Sequence, residues 1–234
     1  LLNVFLSVAK WQLLLRGKGL AVPANYLLRI VWISNFFGDF LTGTLGVDGI
    51  RITAIGRQGE RPPDAVSTVV IDRLAGVISL AVLAVLGGLW SAWSWEAPGL
   101  LLALSVPIAA LGLGLSLLWS RAGHRLLTWL LARCPWIPRR QFLHEVHEAV
   151  HTAPQQREVL LRALGISGLI QFTRVGLVYF LARALDIPLG VGSAAVLVPT
   201  IRLLAMLPIS VAGWGVQEGS YVVLLRLVGI PPAA

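Results

Sequence analysis

"LAVPANYLLRIVWISNFFGDFLTGTLGVDGIR", residues 20–51, decides how this chain is folded. Its apolar part, 27–47, is about as long as a helix must be to cross the hydrocarbon core of a bilayer, which takes about 20 residues. Yet it lies between two basic segments, with Arg16 and Lys18 before it and Arg51, Arg57 and Arg61 after it. Under the positive-inside bias both flanks belong on the cytoplasmic side. A segment with both ends on one side is not a simple crossing. It reads as a re-entrant hairpin that dips into the membrane and returns. The glycines and threonines near its tip fit that reading, as does Asp39, which a lipid-facing helix would not tolerate.

The rest of the chain supports a membrane setting. Of 234 residues, 56% are hydrophobic and 13% charged, and the mean hydropathy is +0.79. A soluble domain carries roughly a quarter charged residues. The net charge is +8, and of the 19 basic residues only Lys10 and Lys18 are lysines. These charges gather between apolar runs, which excludes the continuous basic surface of a nucleic-acid binder. Besides 27–47, apolar runs occupy about 1–15, 66–90, 98–119, 163–184, 191–209 and 211–230. The chain opens without Met inside the first of these, so a preceding helix is expected, and 1–234 reads as one transmembrane domain. Cys134 is the single cysteine, and a signal peptide is not seen.

Loop charges predict the orientation. Segment 120–162 holds seven arginines and reads as a cytoplasmic connector between two halves; the loop 48–65 is expected on the same side. The stretch "SAWSWEAP" (91–98) has no positive charge, and Trp90, Trp93 and Trp95 form an aromatic belt there, as at an outer interface. The loop around Asp186 is expected outside. A second stretch, "LDIPLGVGSAAVLVPTIRLLAMLPISVAGWGVQEG" (185–219), parallels the first: a Leu-x-x-Pro start, an apolar run, a glycine-containing break and an acidic residue. The first copy starts inside and the second outside, so the two would be related by inversion. The expected fold is all-α: a polytopic transmembrane bundle of inverted repeats with two re-entrant helical hairpins, a design that places a site at mid-membrane.

"HEVHEAVH" (144–151) contains the H-E-x-x-H pattern of zinc proteases in His147, Glu148 and His151. At helical spacing Phe142, Leu143, Val146, Ala149, Val150 and Ala153 take one face and the histidines the other. An interfacial helix would lay its apolar face on the membrane and turn the histidines to water. A catalytic zinc needs inward ligands and a third donor, and none follows at a familiar spacing. No metal or other cofactor is expected.

Ionisable residues within apolar runs each ask for a partner or a purpose. Asp72 and Arg73 lie about two turns into 66–90; Arg174 is near the middle of 163–184, beside Gln171; Arg202 lies in 191–209; Glu218 follows "GWGVQ"; Asp48 and Arg51 are one helical turn apart. Interhelical ion pairs would account for some of these. Arg29 and Arg226 read as snorkelling residues. Arg174 and Arg202 lie too deep to snorkel, and guanidinium forks match phosphate oxygens. The glycines of "VAGWGVQEG" either leave backbone N–H groups free or let helices pack closely.

The blocks "NFFGDFLTGTLGVDGIR", "DAVSTVVIDRLAGVISL" and "LPISVAGWGVQEG" resemble, in order and spacing, the lysylphosphatidylglycerol synthetase transmembrane-domain family, also called flippase-like integral membrane proteins. Asn35, Asp48, Arg51, Asp72, Arg73, Pro208, Gly213, Gly215 and Glu218 match its pattern. Thr42, Val47 and Ala212 depart from it, where the family has Pro, Gly and Gly. The resemblance implies translocation of an anionic phospholipid or lipid-linked glycan across a bacterial inner membrane. It also allows a non-transporting subunit that supports a glycosyltransferase or a lipid-modifying enzyme. Nothing in the chain looks like the soluble domain that makes lysyl-lipid, so lysyl transfer is not expected. The residues that would line a substrate site are Asn35, Asp48, Arg51, Asp72, Arg73, Gly213, Gly215 and Glu218, with Arg174 and Arg202 as phosphate partners. Nucleic acid is not an expected partner; membrane lipids are.

Overall fold

The computed structural model describes residues 1–38, 43–57, 62–94, 157–206 and 213–230, together with Ser105, Ile108, Ala109 and Gly112. Among the described residues there are seven helices and no strand: α1 (Leu2–Gly17), α2 (Ala24–Phe37), α3 (Gly43–Gly56), α4 (Pro62–Ser94), α5 (Arg157–Ala184), α6 (Val191–Ala205) and α7 (Val216–Leu227). The connector helix with its H-E-x-x-H pattern, Asp39, Pro208 and nearly all of the run 98–119 lie outside the described residues.

Helix length sorts the elements. At about 1.5 Å per residue, the 33 residues of α4 and the 28 of α5 exceed the roughly 30 Å of a hydrocarbon core. Both are also apolar enough to cross a membrane. The 14 residues each of α2 and α3, the 15 of α6 and the 12 of α7 fall short of that span. These short helices pack as pairs, α2 on α3 and α6 on α7, while α1 lies against α2, α4 and α5.

Two expected boundaries move. Residues 48–65 were expected to form a cytoplasmic loop, but α3 runs to Gly56, so Asp48 and Arg51 sit within a helix and Arg51 is buried. The helix continues because both charges are met from α4, as described below. The expected connector 120–162 also ends early, since α5 starts at Arg157. Its first turn carries Glu158, favourable at the positive end of the helix dipole, and Glu158 pairs with Arg162 one turn on. α4 begins at Pro62 and Pro63, whose fixed φ suits a first turn that has no carbonyl partner for its N–H groups.

Packing centres on α6. Eleven of its 15 residues are buried, Pro199 included, and it is apolar all round, as an enclosed helix should be. It approaches α4 through small residues. A Cβ placed on Gly87 would lie 2.5 Å from Ala195 Cβ and 2.9 Å from its carbonyl carbon, and one on Gly192 would lie 3.0 Å from Trp90 Cδ1. Lipid tails are as apolar as leucine, so helices in a bilayer gain mainly from such close packing. One apolar core joins α5, α6 and α7 around Val175, Ala194, Val196, Ile201 and Leu224. Another gathers Trp11, Leu15, Leu27, Val31, Ile55 and Ala65 from α1 to α4. The outer faces are also apolar: Ile33 and Phe36 on α2, Val82 and Leu86 on α4, and Phe172 and Phe180 on α5 are exposed. Trp93, at the end of α4, is 88% exposed, in the place where an aromatic belt was expected.

Candidate functional site

Charged side chains from five helices converge on a cavity of about 350 Å³. On α3, Asp48 and Arg51 are one turn apart; on α4, Asp72 and Arg73 are adjacent. They pair crosswise. Arg73 Nη2 donates to Asp48 Oδ1 at 2.7 Å and Arg73 Nε to Oδ2 at 2.9 Å. Arg51 Nη1 lies 3.7 Å from Asp72 Oδ2. The one-turn spacing thus serves two bonds between helices rather than one within α3. It also allows α3 to continue as a helix inside the bundle.

Lys10 on α1 completes the cluster. It is 7% exposed, its Nζ lies 2.9 Å from Asp72 Oδ1, and it donates to Ser167 Oγ on α5 at 3.1 Å. Asp72 therefore faces two cations. Sequence reading passed over Lys10, although a lone lysine inside the apolar run 1–15 was the available signal. Arg51 is bound less fully. Its ion pair is long, its Nε has no hydrogen-bond partner among the described residues, and its guanidinium carbon stands 5.3 Å from the centre of the Trp11 ring. That distance is within cation–π range. Trp11 Nε1 is likewise buried without an acceptor among the described residues.

Further along the cavity are Arg174 and Arg202. Arg174 Nη1 donates to Gln171 Oε1 at 3.2 Å, as their neighbourhood in sequence suggested. Among the described residues, no carboxylate forms an ion pair with either arginine. The walls therefore carry Lys10, Arg51, Arg73, Arg174 and Arg202, against the lining carboxylate of Asp72 and that of Asp48 behind Arg73.

Asn35 and Gly38 from the end of α2, and Arg202 and Met206 from the end of α6, line the same cavity. Of the expected site residues, Asn35, Arg51, Asp72, Arg73, Arg174 and Arg202 thus share one space, with Asp48 bonded to its wall. Three others do not reach it. Glu218 is exposed, and its Oε2 accepts from the Gly215 N–H at 2.7 Å, so the carboxylate caps the N-terminus of its own helix. Its neighbour Gln217 is the residue of α7 that lines the cavity. Gly213 and Gly215 adopt φ of +82° and +80° in the turn before α7. A Cβ on Gly213 would come within 3.2 Å of Ala205 Cβ. Both glycines shape a turn that L side chains would strain. Arg29 and Arg226 are exposed and do not line the cavity.

Comparison with curated proteins and with solved structures found no match. The family model described as the lysylphosphatidylglycerol synthase TM region matches residues 1–234, the whole chain. The chain belongs to that family and is a membrane protein of lipid and cell-envelope processes.

Proposed function

We propose that this protein moves an anionic lipid, either a phospholipid or a lipid-linked glycan, across a bacterial inner membrane, with the headgroup phosphate passing through the cavity. One observation carries the reading: the cavity has an excess of guanidinium donors, and two of them, Arg174 and Arg202, have no counter-charge among the described residues. Charge held at membrane depth is costly without a partner, on the order of 2.5–3.5 kcal/mol per residue on insertion scales. A phosphate bridging Arg174 and Arg202 would supply one. Arg51, with an unused Nε beside the cavity, would be a third donor, and the ion pairs of Asp48 and Asp72 would hold the surrounding helices.

The short pairs α2–α3 and α6–α7 are read as the two re-entrant hairpins of an inverted repeat. Their lengths fall below a full span, and the C-terminal ends of α2 and α6 both line the cavity. In such designs the ends of broken helices form a site near the bilayer middle. Neither lysyl transfer nor a cofactor enters this mechanism.

Flipping of a fluorescent anionic phospholipid in liposomes tests the proposal. The expected result is transport by the wild type and a drop of about tenfold or more for Arg174→Gln combined with Arg202→Gln, with both proteins monodisperse in detergent. Each lost phosphate contact from a charged donor is worth roughly 1.5–3 kcal/mol. Equal flipping by wild type and variant would refute the site. No flipping by the wild type, together with co-purification of a glycosyltransferase or a lipid-modifying enzyme, would favour a supporting subunit instead.

A further inference from the structure

A second recess lies on the opposite side of the same two helices. Seen down α1, the cavity takes Asn3, Ser7 and Lys10, whereas the recess takes Ala9, Gln12, Leu13 and Arg16, spaced by three, one and three residues along another face. On α5 the cavity takes Ser167, Gln171 and Arg174, and the recess takes Arg162, Gly165 and Ile166. The recess is about 480 Å³. Small residues on facing helices open it: Ala9 on α1 and Gly165 on α5. A Cβ on Gly165 would meet no atom within 4 Å, so no packing contact in the described structure requires a glycine there.

The recess is graded. Ala9, Leu13 and Ile166 make an apolar floor between the two helices. Arg16, in the last turn of α1, and Arg162, near the start of α5, stand at one mouth, and both are exposed. Arg162 contacts Glu158 at 2.6 Å, but the pair is 64% and 79% exposed. Exposed pairs of this kind contribute little and exchange readily. A phosphodiester is the better partner, since two arginines can each grip it with paired N–H groups. The N-terminus of α5 adds a favourable dipole end on the same side.

We propose that this groove between α1 and α5 is a binding site for an anionic diacyl phospholipid, distinct from the central cavity. The phosphate sits between Arg16 and Arg162, and one acyl chain lies over Leu13 and Ile166. The apolar floor selects a lipid over free phosphate, and the paired arginines select a net negative headgroup over a zwitterionic one. Basic recesses between transmembrane helices recognise anionic lipids by this combination.

The test uses the full chain in phosphatidylcholine nanodiscs with a trace of phosphatidylglycerol carrying a photoreactive acyl chain. Crosslinked residues are located by peptide mass spectrometry. Labelling is expected within 9–16 and 162–166, and unlabelled phosphatidylglycerol, but not added phosphatidylcholine, should compete it away. Arg16→Gln with Arg162→Gln should weaken labelling there roughly tenfold. Gly165→Phe, built on a Cβ position that meets no atom within 4 Å, should fill the groove and abolish labelling there while the protein stays monodisperse in detergent. Arg174→Gln with Arg202→Gln should leave it intact, which separates this site from the transport cavity. Equal labelling in the wild type and both groove variants, or equal competition by phosphatidylcholine, would overturn the proposal.

Discussion

Arg73 grips Asp48 with two nitrogens, at 2.7 and 2.9 Å, across 25 residues of chain. This pair fastens α3 to α4 beside the cavity, and its members are 33% and 19% exposed. Removing one partner of a fully buried pair costs about 3–5 kcal/mol. Because this pair is partly exposed, Asp48→Asn is expected to cost about 1–3 kcal/mol, the range for leaving one buried polar group unsatisfied. The exchange Asp48→Arg with Arg73→Asp should recover part of the loss in thermal unfolding in detergent. Independent additive losses would show that the two side chains are not coupled.

At Gly87 and Ala195, α4 and α6 approach closely. Gly87→Ala puts a methyl group 2.5 Å from Ala195 Cβ, so the helices must separate. Overpacking of this kind typically costs about 1–3 kcal/mol. The melting temperature should fall for Gly87→Ala and recover only in part when Ala195→Gly is added, because the backbone carbonyl carbon of residue 195 would still lie 2.9 Å from the new methyl group. Gly165→Ala serves as the control, because no atom lies near its Cβ position. Its melting temperature should hold or rise slightly, as alanine is the better helix former by about 1 kcal/mol.

The all-helical class and the charged residues of the site were legible in the sequence because both follow local rules. Apolar runs of membrane length are continuous in the chain, and a charge inside one stands out, as Asp72, Arg73 and Arg174 did. Pairing was not legible, because it depends on helix rotation. Asp48 and Arg51 stand at one-turn spacing, which does not say where either side chain turns, and each turns to α4. Lys10 was overlooked because residues 1–15 were treated only as an apolar run. Glu218 illustrates the opposite problem. An acidic residue after a glycine-rich break fits both a ligand site and a helix cap, and only the position of Gly215 N–H, 2.7 Å away, separates the two.

The capping role leads to a prediction for Glu218. A Gln side chain keeps an oxygen that can accept from Gly215 N–H, so Glu218→Gln should leave both melting temperature and flipping close to wild type. Glu218→Ala removes the acceptor and should lower stability by about 0.5–2 kcal/mol, the usual range for a lost cap. Near-normal stability of Glu218→Gln with a large loss of flipping would instead give the carboxylate a direct role in transport.

Asp72 lies between Lys10 and Arg51, and this arrangement predicts an order among variants. Asp72→Asn leaves two buried cations near one another with no anion between them; Lys10 and Arg51 are 7% and 8% exposed. Lys10→Met leaves Asp72 with Arg51 and keeps a side chain of similar length without the charge. Asp72→Asn should therefore be the more destabilising of the two, by more than about 1 kcal/mol, because it leaves uncompensated charge. Adding Lys10→Met to Asp72→Asn removes one of the stranded cations. The double variant should then be more stable than the sum of the single losses implies, with a coupling of about 0.5–3 kcal/mol, as for residues in contact. The cycle can be measured as thermal unfolding of the four purified proteins in one detergent. A coupling near zero would show that Arg51 and not Lys10 holds Asp72, and a Lys10→Met loss larger than that of Asp72→Asn would overturn the predicted order.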